Sequence, residues 1–165
     1  MNAVEQNRVI IAAALIAVLG LASISRSAVY QDEIALYTDI VAKSPNKARP
    51  HNNLGENLKK AGRIAEAQLH LERSLAIQPD YPDALNNLAT VYANIGRKND
   101  AIVLLQQCLA LAPGHAQARF NLAIQLYEHG MVAEAEREYQ LLIMTAPQSK
   151  EAAFAVKMLQ LIQSR

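Results

Sequence analysis

The sequence has one cysteine and no tryptophan, and only 5% of its 165 residues are aromatic. A single thiol cannot close an internal bridge, so Cys108 fixes neither a disulfide nor a redox compartment. So few aromatics leave little to stack against unpaired bases. Charge of one sign is missing as well: 16 Lys and Arg face 15 Asp and Glu, a net charge of +1. Without a basic excess to hold a phosphate backbone, nucleic acid is excluded as a partner. Chemical constellations are also lacking. There is no Gly-rich phosphate loop and no Cys-x-x-Cys, and no two of His51, His70, His115 and His129 stand three or four residues apart. A metal site on one helix is therefore not built. Ser, His and Asp do not group as a strand-to-helix nucleophile elbow requires. These absences describe a protein that is not an enzyme, with no cofactor, no metal and no small-molecule substrate.

What is present is periodicity. Glycine and proline number six each, and most recur at one spacing. Pro45, Pro79, Pro113 and Pro147 stand 34 residues apart, as do Gly62, Gly96 and Gly130. Leu54, Leu88 and Leu122 keep the same step, as do Ala67, Ala101 and Ala135, and Leu75, Leu109 and Ile143. A fixed period without insertions means one supersecondary unit, stacked. Three units follow, 48–81, 82–115 and 116–149. Each reads as a helix, a tight turn at a glycine in the left-handed cap conformation, and a second helix ended by proline. Pro50 and Pro82 suit a first helical turn. Small residues at Gly55, Ala89 and Ala123, and at Ala67, Ala101 and Ala135, predict close approach of the two helices in each unit. Cys108 aligns with Ser74 and Leu142, which predicts a small buried side chain rather than a reactive thiol.

The flanks complete the organisation. Residues 28–47 hold half a repeat, an amphipathic helix with Ile34, Tyr37, Ile40 and Val41 on one face. Residues 150–165 hold a capping helix, expected to cover the last unit with Ala153, Val156, Leu159 and Leu161 and to stay soluble through Lys150, Glu151 and Lys157. Residues 1–27 are different. Val9 to Ser25 carries no charge over 17 residues, with Val9, Ile10, Ile11, Leu15, Ile16, Val18, Leu19 and Leu21 as its largely aliphatic body. As a helix this reaches roughly 25 Å, the lower limit for a hydrocarbon core of about 30 Å. A retained single-pass anchor, a cleaved signal peptide and a buried soluble helix all fit this stretch. The anchor accommodates its length best, with Arg8 and Arg26 snorkelling at either end. Flanking Lys and Arg are nearly balanced. The early position of the run favours the N-terminus in the cytoplasm and the repeats outside it, in the periplasm.

The 34-residue period and the residues on it resemble the tetratricopeptide repeat (TPR) family. The second unit carries Leu85, Leu88, Ala89, Tyr92, Ala101, Leu105, Cys108 and Pro113 at the family's marker positions, and the other two units match in phase. The departures are His51 and Arg119, where the family usually has a bulky apolar residue. They are expected nearer the surface. The resemblance implies an all-α, right-handed solenoid of helix-turn-helix repeats behind one N-terminal transmembrane helix. A looser one, from the apolar run into the half-repeat, is to bacterial multispanning proteins and O-mannosyltransferase-like relatives. Their repeats lie on the extracytoplasmic side.

The family fold places the first helix of each unit on a concave wall. On this chain that wall presents Arg49, Asn52, Asn53, Glu56, Lys59 and Lys60, then Asp83, Asn86, Asn87, Thr90, Ala93 and Asn94, then Gln117, Phe120, Asn121, Ile124, Tyr127 and Glu128. Asn53, Asn87 and Asn121 stand one period apart, which resembles the asparagine ladder of O-GlcNAc transferase repeats. Such a row could hold the backbone of an extended peptide, since an amide both donates and accepts, or it could bond locally within the repeats. Phe120, Ile124 and Tyr127 form either an open contact surface or one covered by the capping helix through Phe154 or Met158. The carboxylate clamp of the chaperone-binding relatives would fall on Asn52, Glu56, Asn87, Gln117 and Asn121. Only Asn87 suits it, and Glu56 opposes it. The expected function is an interaction module, a scaffold or assembly factor that binds a protein or peptide in its groove. The alternative is a structural accessory subunit of a larger membrane complex, packed through residues 9–25.

Overall fold

The computed structural model describes residues 31–164, and every regular element there is a helix. Helix α1 covers residues 31–43. The three units follow as α2 (Ala48–Lys60) with α3 (Ile64–Ile77), α4 (Pro82–Asn94) with α5 (Lys98–Leu111), and α6 (Ala116–Glu128) with α7 (Val132–Thr145). Helix α8 spans Lys150–Gln163. From α2 to α8 each helix packs on its sequence neighbour, and α2, α4, α6 and α8 also touch in succession along one wall. No helix among the described residues is long and apolar enough to cross a membrane. The anchor expected at residues 9–25 lies outside them.

The turn inside each unit is the same device three times. Gly62, Gly96 and Gly130 have φ of 78°, 83° and 83°. The residue after each glycine donates its N–H to a carbonyl five residues back, from Arg63 to Leu58 at 2.9 Å, Arg97 to Tyr92 at 2.8 Å and Met131 to Leu126 at 2.9 Å. The glycine itself donates to the carbonyl three residues back, as Gly96 does to Ala93 at 3.1 Å. This is the Schellman closure, which satisfies carbonyls that a helix end otherwise strands.

Within each hairpin the small residues meet. Ala67, Ala89, Ala101, Ala123 and Ala135 are fully buried. At Gly55 even a methyl group is too much, because a Cβ there would lie 2.6 Å from Leu71 Cγ. The core runs in two linked clusters. One joins Ile34 of α1 to Leu54, Leu58 and Leu71 and on to Leu88 and Val91. The other joins Leu85 and Leu105 to Leu122, Tyr139 and Leu142 and ends on Ala152 and Ala155 of α8. Leu75, Tyr92 and Leu104 pack against both. Ser74 and Cys108 do one job a period apart: their buried Oγ and Sγ donate to Ala48 and Pro82 carbonyls at 2.9 and 3.3 Å, tying each second helix to the start of its first.

Two expectations need correction. His51 is not near the surface, and Arg119 is half-buried rather than open to solvent. His51 is buried, stacks on His70, and donates from Nε2 to the Pro45 carbonyl at 3.0 Å. Its Nδ1 lies 3.1 Å from His70 Nδ1 and accepts from it. The Arg119 side chain is 12% exposed and bonds Glu138 Oε2 at 2.8 Å and the Pro113 carbonyl at 2.7 Å. In each case the partner sits 19 residues on, where the middle unit has Leu104 under Leu85. The apolar pair is replaced as a pair, so a polar side chain can be buried. The second correction is to α8. Ala153, Val156 and Leu161 are exposed, and Glu151, Ala152 and Ala155 are buried. In a full unit, the positions of Ala153 and Val156 face the unit's own second helix. Helix α8 has none among the described residues, so it buries only the face that meets the preceding unit.

Candidate functional site: the concave wall

The wall's asparagines form a ladder, but between repeats. Asn87 Nδ2 donates to Asn52 Oδ1 at 3.1 Å, and one period later Asn121 Nδ2 donates to Asn86 Oδ1 at 2.9 Å. Asn52 Nδ2 reaches Asn53 Oδ1 at 3.3 Å, and Gln117 Nε2 reaches Asn121 Oδ1 at 3.1 Å. Asn52, Asn86 and Asn87 are buried. The Nδ2 groups of Asn87 and Asn121 are thus engaged in joining one first helix to the next, which favours local bonding over a peptide grip for these two groups, while Asn53 and Asn121 are only half-buried. Helix α8 continues the register with a change of chemistry: Phe154 stands one period beyond Phe120, 6.1 Å from it between ring centroids. Phe120 also lies 6.0 Å from Tyr139. The capping helix therefore meets Phe120 on one side and leaves it half-buried. Tyr127 packs against the core cluster. Phe120 also lines a hollow of about 210 Å³ with Gln117, Lys150, Glu151 and Phe154, and Ile124 opens on a different cavity.

That cavity, about 230 Å³, lies between α4 and α6. Ala89, Ala93, Leu105 and Ile124 supply its apolar lining, with Thr90, Asn94, Asn121, Gln125 and Glu128 as its polar groups. Gln125 is 8% exposed, and its Oε1 has no hydrogen-bond partner among the described residues. Glu128 pairs with Lys98 at 3.1 Å. A second, polar hollow of about 240 Å³ joins Arg49, Asn52, Asn53 and Glu56 to Tyr81, Asp83 and His115. There His115 caps α6, its Nδ1 accepting from Ala118 N–H at 3.2 Å, while its Nε2 faces Asp83 at 3.3 Å. Burial, with Asp83 and Glu56 nearby, raises the Tyr81 phenol. Glu56 is also bound to Lys60 at 2.7 Å.

Between α2 and α4 the equivalent of the 230 Å³ cavity holds Lys59, whose Nζ donates to Asn87 Oδ1 at 2.7 Å. Burial lowers its pKa, with Glu56 opposing the shift and Lys60 adding to it.

Gln125, Tyr81 and His115 escaped the sequence reading. The first falls between the expected wall positions Ile124 and Tyr127, and the other two sit in the connections between units. The signal for Gln125 was available: its equivalents are Asn57 and Val91, and an amide aligned with a valine marks a polar group on an apolar face.

The family model for the tetratricopeptide repeat matches residues 58–105 and 96–159. The chain belongs to the tetratricopeptide repeat family. No curated protein matches it. Among solved structures, this TPR chain is similar to TTC0263, a thermophilic TPR protein of Thermus thermophilus, at 21% identity and a TM-score of 0.72, covering 81% of this chain and 74% of that one. It is similar to MamA at 21% identity and a TM-score of 0.66, over 80% of each chain. The first TPR of Spaghetti (RPAP3), bound to the HSP90 peptide SRMEEVD, is 18% identical with a TM-score of 0.65, covering 72% of this chain and 94% of that one. At these identities the likeness is one of fold. Among the described residues no group of three or more His, Cys, Asp or Glu side chains is placed to hold a metal ion.

Proposed function

We propose that the protein is a non-enzymatic, membrane-tethered interaction module whose concave wall holds a segment of a partner protein. The observation that carries this reading is the open cavity between α4 and α6, with the polar hollow on one side of it and a smaller hollow at Phe120 and α8 on the other. Stacked helix pairs present an extended concave surface suited to such a segment. The peptide named with the RPAP3 structure belongs to that protein. Here Glu56 would oppose a terminal carboxylate, so the segment is recognised along its length. The tether rests on Val9 to Ser25, and with it the placement of the repeats in the periplasm.

The test is photo-crosslinking in intact cells, with the reactive residue at Thr90 or Ile124 on the wall and, as control, at the exposed Leu69 of α3. One discrete partner is expected from the wall and none from Leu69. Equal capture from both would overturn the groove reading. Membranes washed in alkaline carbonate should retain the protein, and its release would overturn the tether. A partner that co-purifies stoichiometrically despite substitutions on the wall would favour the accessory-subunit alternative.

A further inference from the structure

We propose that the cavity between α4 and α6 receives a lysine side chain from the partner, held as the chain's own Lys59 is held one repeat earlier. The proposal rests on the interaction reading above and names the chemistry of the side chain that the groove selects.

The argument is internal to the repeat. Lys59 and Asn87, one period on, become Ala93 and Asn121, and both of these line the cavity. The donor has been cut back to a methyl group while the acceptor remains. What is left has the form of the missing side chain. Ala89, Leu105 and Ile124 offer an apolar channel for a four-carbon stem, and Asn121, Thr90 and Gln125 offer polar atoms for its end. Asn121 Oδ1 accepts one hydrogen bond, from Gln117, and keeps a second lone pair. Gln125 is more than nine-tenths buried and its Oε1 lacks a donor. Turning the amide about its last torsion exchanges its two ends without changing its shape. An ammonium brings three donors and no acceptor, which fits a site short of donors.

The other side chains fit less well. No Lys, Arg or His lines the cavity, and Glu128 stands at its edge, so a carboxylate is opposed. A guanidinium needs a planar, forked set of acceptors that separate amide and hydroxyl groups do not make. At about 230 Å³ the space falls below the roughly 300–1,000 Å³ usual for small-molecule pockets and suits a single side chain.

Two measurements on the full chain, kept in mild detergent, test this. The first needs no partner. Ala93→Lys supplies the side chain from within, and its amine should react with an acylating reagent about tenfold more slowly than the exposed Lys157, a protection of about 1.4 kcal/mol. Adding Asn121→Ala should remove the protection. An amine as reactive as that of Lys157 overturns the proposal. The second is selection of random displayed peptides on the wild-type chain. Enriched peptides should depend on one lysine, losing binding at least about tenfold when it becomes norleucine, and Ala93→Lys should block them. Peptides that Ala93→Lys blocks but that need no lysine overturn this inference and leave the interaction reading intact. Peptides indifferent to every substitution on the wall overturn both. An empty selection leaves the first measurement to decide.

Discussion

The first two grooves on the concave wall repeat one helical arrangement and keep one asparagine, Asn87 and then Asn121, but they differ in most of their lining, above all where Lys59 gives way to Ala93. Between α2 and α4, Lys59 crosses to Asn87, which in turn bonds Asn52. Between α4 and α6 the lysine is Ala93, the Asn86–Asn121 bond persists, and a cavity opens. Stacking and opening are therefore separable: the amide ladder joins the repeats in both grooves, while the cavity stands where Lys59 has become Ala93 and its neighbours have changed with it. A repeat fold can keep its architecture and acquire a site by removing a plug, because each unit contacts only its neighbours.

The largest expected effect comes from the closed side. Gly55→Val should destabilise the fold by about 3 kcal/mol, since the added Cβ would fall 2.6 Å from Leu71 Cγ in a fully packed core. On the open side the equivalent residue is already alanine, and Ala89→Gly should cost only about 1 kcal/mol, as a helix-interior glycine. Urea midpoints for the two variants measure the difference. Equal losses would show that the first hairpin is no tighter than the second.

Next is the ladder. Asn87→Ala removes the acceptor of a half-buried ammonium and the donor to Asn52, and should cost about 2 kcal/mol. Asn121→Ala, with no lysine behind it, should cost about 1 kcal/mol. In a double-mutant cycle, Lys59→Met should recover part of the Asn87→Ala loss, because the ammonium left without its acceptor is gone. Additive losses would separate Lys59 from the ladder.

Much of this architecture is legible in the sequence because its punctuation is local. A proline ends each second helix, and a glycine at φ near 80° turns each hairpin. Both act through the backbone, so the period exposes them. Side-chain pairing across a hairpin is not local. His51 and Arg119 read as departures nearer the surface until His70 and Glu138, 19 residues away, are seen to differ with them. The site is harder still to read. Its defining feature is an alanine, and Ala93 signals a cavity only against Lys59 in the aligned repeat.

A smaller effect tests the shared turn. Gly96→Val should cost about 1–2 kcal/mol from the left-handed backbone alone, since nothing lies within 4 Å of the added Cβ. The loss should spread to both neighbouring units in hydrogen exchange. Loss of protection confined to α4 and α5 would show that the two grooves fold independently.

The smallest effect separates the third unit from the first two. Where they have Leu71 and Leu105, it has Tyr139, fully buried, with its hydroxyl unpartnered among the described residues. Removing a buried hydroxyl that bonds nothing should do no harm, so Tyr139→Phe should leave stability unchanged or raise it by up to about 1 kcal/mol at pH 7. The pH dependence has a definite sign. Burial, with Tyr127 and Glu128 adding, pushes the phenol up to about 12 from an ordinary 10.0. The folded state thus favours the neutral form. Its contribution is full below pH 10 and is lost as pH rises from 10 towards 12, because the unfolded chain gives up its proton first. Cys108 behaves alike one window lower, pushed from 9.0 to about 11 by burial and by Asp83. Urea midpoints taken from pH 7 to 11 should therefore begin to fall near pH 9 in the wild type. Cys108→Ser keeps the hydrogen bond that Ser74 makes and should delay that fall by about one pH unit, leaving the Tyr139 step. Tyr139→Phe should leave the onset unchanged and flatten the profile above pH 10. Parallel profiles for the wild type and Tyr139→Phe would mean that the phenol reaches solvent in the folded state, and that the third unit is packed no more tightly at this position than a half-exposed tyrosine would be.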